Sequence, residues 1–149
     1  MKTVLDGFES LRRNMSKILD FSENEDTQAI RDLIQKFIDK EVPQELASKW
    51  DKEDHIPRDM IRKLAELGVC ALTVPEEYGG LGRDVMGMTA TIQALARRSF
   101  ALSGLYIMNA CYGSLNIAES GTLEQKERLL PGLCAGEILF AYGLSEPDV

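Results

Sequence analysis

The sequence is poor in the residues from which metal and disulfide centres are built. One histidine, His55, stands alone in 149 residues, so no His-based metal cluster can be assembled. Three cysteines, Cys70, Cys111 and Cys134, lie far apart among apolar neighbours. An odd count without short spacings fits neither a disulfide framework nor a zinc site, and points to buried free thiols in a reducing compartment. No apolar run approaches the 18 or so residues of a membrane span. Asp6 and Glu9 interrupt the first apolar segment, so it does not read as a secretory signal. Charge of one sign is never concentrated: the net charge is −7, but no block of like charge occurs. Phosphate neutralisation needs clustered Lys and Arg, so the expectation is no nucleic acid and no membrane span. The cytoplasm is the default location, and a mature protein of the mitochondrial matrix would look the same.

What is present is a soluble globular composition, 44% hydrophobic and 28% charged, long enough for one domain with a sizeable core. Apolar residues recur at helical period almost throughout. Val4, Phe8, Leu11, Met15, Ile18 and Leu19 form a first amphipathic stripe, followed by a polar break over Ser22–Asp26. Ile30, Leu33, Ile34, Phe37, Ile38 and Val42 form a second, and Pro43 either kinks it or starts the next segment. A third helix has Pro57 in its first turn, Met60, Ile61, Leu64 and Leu67 on its buried face, and Gly68 as C-cap. Val69–Gly82, with Pro75 and three glycines, reads as a loop with tight turns rather than a phosphate cradle, since no Gly-Lys-Ser/Thr follows. Further helices are expected from Asp84 to Arg97 or Arg98, from Leu102 to Glu119, and from Thr122, which with Gln125 forms a capping box, to Leu130. Pro131 and Gly132 are expected to stop the last one. Ile138–Tyr142 reads as an extended apolar strand. The pattern is therefore all-α, a bundle of about six helices with the first strand of a following β-domain at its C-terminal end.

Three stretches carry more. Ile56–Gly82, IPRDMIRKLAELGVCALTVPEEYGGLG, resembles the acyl-CoA dehydrogenase segment in which a helix ends at Leu-Gly and enters a Pro-Glu-x-Tyr-Gly-Gly-x-Gly turn. Gly121–Gly136, GTLEQKERLLPGLCAG, is similar to that family's Gly-x-x-x-Gln-Lys helix and its Leu-Pro-x-Leu-x-x-Gly exit. Phe140–Asp148, FAYGLSEPD, resembles its Ala-x-x-Leu-Thr-Glu-Pro signature. Their order and separations also match. The resemblance divides the chain into an N-terminal extension (1–23), a helical domain (24–137) and the start of a middle β-domain (138–149). It implies that the chain is the N-terminal part of a longer protein.

The chemistry that the resemblance implies is α,β-dehydrogenation of an acyl-CoA thioester, with hydride transfer to FAD. The family's glutamate base lies in a C-terminal domain, so no catalytic residue is expected here. Glu76, Glu77 and Glu146 are expected to be solvated or structural carboxylates. Tyr142, Leu144 and Ser145 match positions along the flavin ring. The Leu144 backbone and the Ser145 hydroxyl are implied to hydrogen-bond its pyrimidine edge, with Ser in place of the commoner Thr. Leu105, Met108, Asn109 and Tyr112 share a helix face at three- and four-residue spacing. The resemblance places this face along the acyl pocket, with ordinary core packing as the alternative for Leu105 and Met108. A buried amide and phenol would each need a partner. A homotetramer and an electron-transferring flavoprotein are the implied partners. Related flavoprotein oxidases or monooxygenases, and a flavin-free helical interaction module, are the competing readings.

Overall fold

The computed structural model describes residues 24–143 and residue 145; the stripe expected over 4–19, Leu144 and Glu146 lie outside the described residues. Helix α1 (Glu25–Glu41) starts where Asn24 Oδ1 accepts from the Thr27 amide at 2.7 Å, with Glu25 and Asp26 set against the positive end of the helix. Its inward face is Ile34, Phe37 and Ile38. Pro43 does not kink α1 but stands at the N-cap of α2 (Gln44–Glu53). Val42, the residue before the proline, leaves helical geometry at φ −131°, ψ 64°, as the pyrrolidine ring demands. Helix α3 (Asp59–Glu66) opens two residues after Pro57, buries Met60, Ile61 and Leu64, and gives way to Gly68 in the left-handed region. Two 3₁₀ turns, Val69–Ala71 and Glu76–Tyr78, then carry the chain through the expected loop.

Helix α4 (Val85–Ala96) is capped by Asp84, whose Oδ1 accepts from the Gly87 amide at 2.8 Å. Ser99 caps α5 (Phe100–Ile107), so that helix begins two residues earlier than periodicity indicated. The rod continues without a break through a π-helical stretch, Met108–Leu115, into α6 (Asn116–Ser120). Helix α7 (Leu123–Cys134) has the complete Thr122–Gln125 capping box. The described residues thus make six helical rods.

Two expectations need correction. Pro131 does not stop α7, which continues to Cys134. The N–H that proline lacks would have met the carbonyl of Glu127, four residues back on an exposed face where water can replace it. Leu130 and Leu133, both fully buried, hold the final turn in place, and Ala135 still donates to the Pro131 carbonyl at 3.0 Å. The strand expected at Ile138–Tyr142 is also not formed. A strand is defined by its ladder, and no described segment lies alongside to supply one.

The core is continuous through α1, α3, α4 and α5, with Ile34, Ile38, Val42, Ile61, Leu64, Leu95, Leu102 and Tyr106 fully buried. Arg98 ties the end of α1 to the α4–α5 corner, donating to the Val42 carbonyl at 2.6 Å and to Asp39 Oδ1 at 2.9 Å. Lys63 bonds Glu41 at 2.9 Å across α1 and α3, which lowers the Glu41 pKa and raises that of Lys63. A second cluster, Val74, Leu130 and Leu133, lies under Tyr78, Ile138 and Phe140. Deleting side-chain volume from the main core should cost most. Leu64→Ala is expected to lower unfolding free energy by about 3 kcal/mol in a urea titration. Leu123→Ala, at a position 65% exposed, should stay within about 0.5 kcal/mol.

Candidate functional site

The residues singled out from the sequence converge on the π-helical part of the central rod and on the segment that follows α7. Between Met108 and Leu115 the backbone closes i→i+5 rather than i→i+4 bonds, which widens the turn and changes which side chains face inward. Asn109, Ala110, Gly113 and Ser114 point into the protein. Asn109 Nδ2 donates to the Leu133 carbonyl of α7 at 3.0 Å, while the Thr73 hydroxyl donates to the Ala110 carbonyl at 3.1 Å. Below this stretch, the fully buried Tyr106 donates its phenol proton to the Val69 carbonyl at 2.8 Å. Burial keeps the phenol neutral, with its pKa pushed far up. Asn109 Oδ1 and Ser114 Oγ are buried without a hydrogen-bond partner.

The segment after α7 is laid across the same rod by two close approaches. A Cβ at Gly132 would come within 2.6 Å of Ile138 Cδ1, and one at Gly113 within 2.8 Å of Phe140 Cβ. Neither glycine is explained by backbone freedom; each is where a side chain of the returning segment sits directly on helix backbone. Phe140 then leads to Tyr142, whose ring lies 5.1 Å from that of Tyr112, tilted by 31°. Such a pair is an ordinary tilted aromatic contact. Tyr142 remains 50% exposed and Tyr112 40%.

The four residues expected on one helix face are therefore separated by the wider turn. Leu105 packs half-buried against the main core, and Met108 is also half-buried. Asn109 is fully buried and bonded to α7. Tyr112 is exposed rather than buried, so its phenol has water and its ring has Tyr142. Of the three residues expected to meet a flavin, Tyr142 and Ser145 are both exposed and Leu144 lies outside the described residues. A half-exposed aromatic pair offers ring faces on which a planar group can stack. Glu76 and Glu77 are exposed, as expected of solvated carboxylates. Sequence reasoning missed Gly113, Thr73 and Phe140. A glycine inside an apolar-periodic helix was the available signal for the first.

The three thiols are free. Burial pushes Cys70 up to about 12 and Cys134 up to about 11, and raises Cys111 as well. Cys111 Sγ contacts Met88 Sδ at 3.2 Å, and Cys70 Sγ faces the Ile61 carbonyl at 3.9 Å. None of the three has the lowered pKa of an activated nucleophile.

Residues 24–137 match the family described as Acyl-CoA dehydrogenase, N-terminal domain. Isobutyryl-CoA dehydrogenase, mitochondrial, of Dictyostelium discoideum is 39% identical over 102 residues, 68% of this chain and 24% of that protein. The solved glutaryl-coenzyme A dehydrogenase–glutaryl-CoA complex superposes with a TM-score of 0.78 at 30% identity, covering 87% of this chain and 33% of its own. An acyl-CoA dehydrogenase complexed with FAD from Bacillus anthracis gives 0.71 at 30% identity, covering 86% and 22%. The chain thus spans a third or less of the length of each of these relatives.

Two outcomes follow from the packing. Gly113→Ala should displace Phe140 and the segment after it, raising chymotryptic cleavage at Phe140 and Tyr142 about tenfold while the bundle stays folded by circular dichroism. For Cys70, folding favours the neutral thiol. Its contribution is fully present below the ordinary value of 9.0 and is lost as pH rises from there toward about 12. Over that window, unfolding free energy should fall by about 1.4 kcal/mol per pH unit on account of this group. Cys70→Ala should remove that share of the slope in denaturant titrations at stepped pH.

Proposed function

The chain belongs to the acyl-CoA dehydrogenase family, and on that premise we propose that it is the helical N-terminal part of an FAD-dependent enzyme that dehydrogenates an acyl-CoA thioester between its α and β carbons. The observation that carries this reading is the docking of 138–142 across the π-helical stretch, which brings the segment matching the family's flavin signature beside the helix matching its acyl pocket. On this reading residues 1–23 are an extension, 24–137 the helical domain and 138–149 the entry to a β-domain.

Tyr142, Leu144 and Ser145 would hold one edge of the flavin. The Ser145 hydroxyl and the Leu144 backbone donate hydrogen bonds there, favouring negative charge on that edge. Bound FAD supplies the hydride acceptor. Tyr142, braced by Tyr112, covers the site on one side and limits water. Leu105 and Met108 contribute apolar wall to the acyl pocket. Asn109 acts from behind that wall, because its amide is committed to the Leu133 carbonyl. Tyr112 is the residue best placed to set pocket length, since it alone of the four is substantially exposed. The glutamate base belongs to another part of the protein, and no residue here takes that role. An electron-transferring flavoprotein as oxidant and a homotetrameric assembly complete the proposal. No helix among the described residues is long and apolar enough to cross a membrane.

The test uses the whole protein that carries this domain, purified with its native cofactor and mixed without oxygen with acyl-CoA thioesters of increasing length. Bleaching of the flavin absorbance by at least one thioester is expected. A protein that holds no flavin, or whose flavin no acyl-CoA reduces, would sink the dehydrogenase reading. Within that series, Tyr112→Ala should improve kcat/KM for thioesters longer than the preferred one by about tenfold, in the range that one pocket methylene commands. An unchanged length preference removes Tyr112 from the pocket. Ser145→Ala should weaken FAD retention during dialysis, and Ser145→Thr should restore it.

A further inference from the structure

Among the described residues, glycines stand inside α4, α5, the π-helical stretch and α7, and all but one are explained by what touches them. A Cβ at Gly87 would come within 2.7 Å of Ile30 Cδ1, one at Gly113 within 2.8 Å of Phe140 Cβ, and one at Gly132 within 2.6 Å of Ile138 Cδ1. Gly104 is different. It lies within α5 without a positive φ, and a Cβ there would meet nothing within 4 Å. Glycine inside a helix is destabilising relative to alanine, and no contact in the bundle compensates for this one.

The face around it is uniform. At 3.6 residues per turn, Ala101, Gly104, Leu105 and Met108 share one side of the helix, and all are half-buried. The opposite side, Leu102, Ser103 and Tyr106, is buried in the core. From Phe100 to Ala118 the rod carries no Lys, Arg, His, Asp or Glu. The open face is therefore an apolar strip with bare backbone in its middle.

We propose that the acyl chain of the substrate lies directly against the backbone at Gly104, and that the acyl group admitted there is uncharged. This rests on the reading, given above, of Leu105 and Met108 as wall of the acyl pocket. Glycine lets a ligand come closer to helix backbone than any other residue does, which gives Gly104 a role that its protein neighbours do not. The strip holds no cation for a carboxylate, and a carboxylate desolvated without a partner is far less stable than a methyl group in the same place. Acyl groups that end in hydrocarbon are thus accepted, and ω-carboxyacyl groups are refused.

The test is steady-state kinetics of the whole flavin-loaded protein that carries this domain, alongside its Gly104→Ala and Gly104→Leu variants. In the parent, kcat/KM for the best straight-chain thioester should exceed that of its ω-carboxy counterpart of equal carbon count by at least about a hundredfold. Gly104→Leu should lower kcat/KM by an amount that grows with acyl length and reaches about tenfold for the best thioester. Gly104→Ala should do the same to a smaller degree. Alanine and leucine both favour helix over glycine, so each variant should keep its flavin and melt no lower than the parent. A loss equal at every acyl length, or flavin lost from both variants, means that protein rather than substrate packs on Gly104 and overturns the proposal. An unchanged length profile overturns it too. Preference for the ω-carboxy thioester overturns the charge assignment while the dehydrogenase reading stands, whereas a flavin that no acyl-CoA reduces removes both.

Discussion

The structure depends on the side-chain hydrogen bonds that tie one long rod to the elements packed around it. The rod from Phe100 to Ser120 passes through the interior, where an unpaired donor or acceptor costs on the order of 1–3 kcal/mol. Three of its side-chain hydrogen bonds hold it to the loop after α3 and to α7: Tyr106 to Val69, Thr73 to Ala110 and Asn109 to Leu133. The first two fix the loop after α3, and the third fixes α7. Rotating the rod would break all three together. The stretch Met108–Leu115, where the helix widens, is the place where two of these ties attach.

That arrangement sets up the candidate site. With α7 held by Asn109, Gly132 and Gly113 present bare backbone side by side for the segment that follows, and Ile138 and Phe140 occupy the space that two Cβ atoms would have filled. The segment is therefore placed by packing rather than by a sheet ladder. Its aromatic end, Tyr142 on Tyr112, stays about half-exposed. The interior itself is chemically quiet. Cys70, Cys134 and Tyr106 are all held in their neutral forms by burial, so the bundle offers shape and support to the segment lying across it.

Much of the fold was legible in the sequence because it is decided locally. Asp84 with Gly87 and Thr122 with Gln125 are contacts three residues apart, so these caps can be read from spacing alone. Pro131 was misread for the same reason. The local rule says that proline ends a helix, but Leu130 and Leu133 on the buried side keep the last turn, and the orphaned carbonyl faces water. A short-range signal fails wherever a long-range gain exceeds it.

The sequence by itself determined the helical class, the caps, the turn after α3 and, through three motifs, the family. Each is written in residues close together in the chain, or in a periodicity that any stretch of helix displays. Only the tertiary structure decided that Asn109 faces inward and Tyr112 outward, since a change from i→i+4 to i→i+5 bonding leaves no mark in residue spacing. It alone brought Phe140 onto Gly113 and Tyr142 onto Tyr112, pairs 27 and 30 residues apart. Contacts of that separation form because α7 returns the chain across the rod. That return is a property of packing volume and buried hydrogen bonds, which no local pattern encodes.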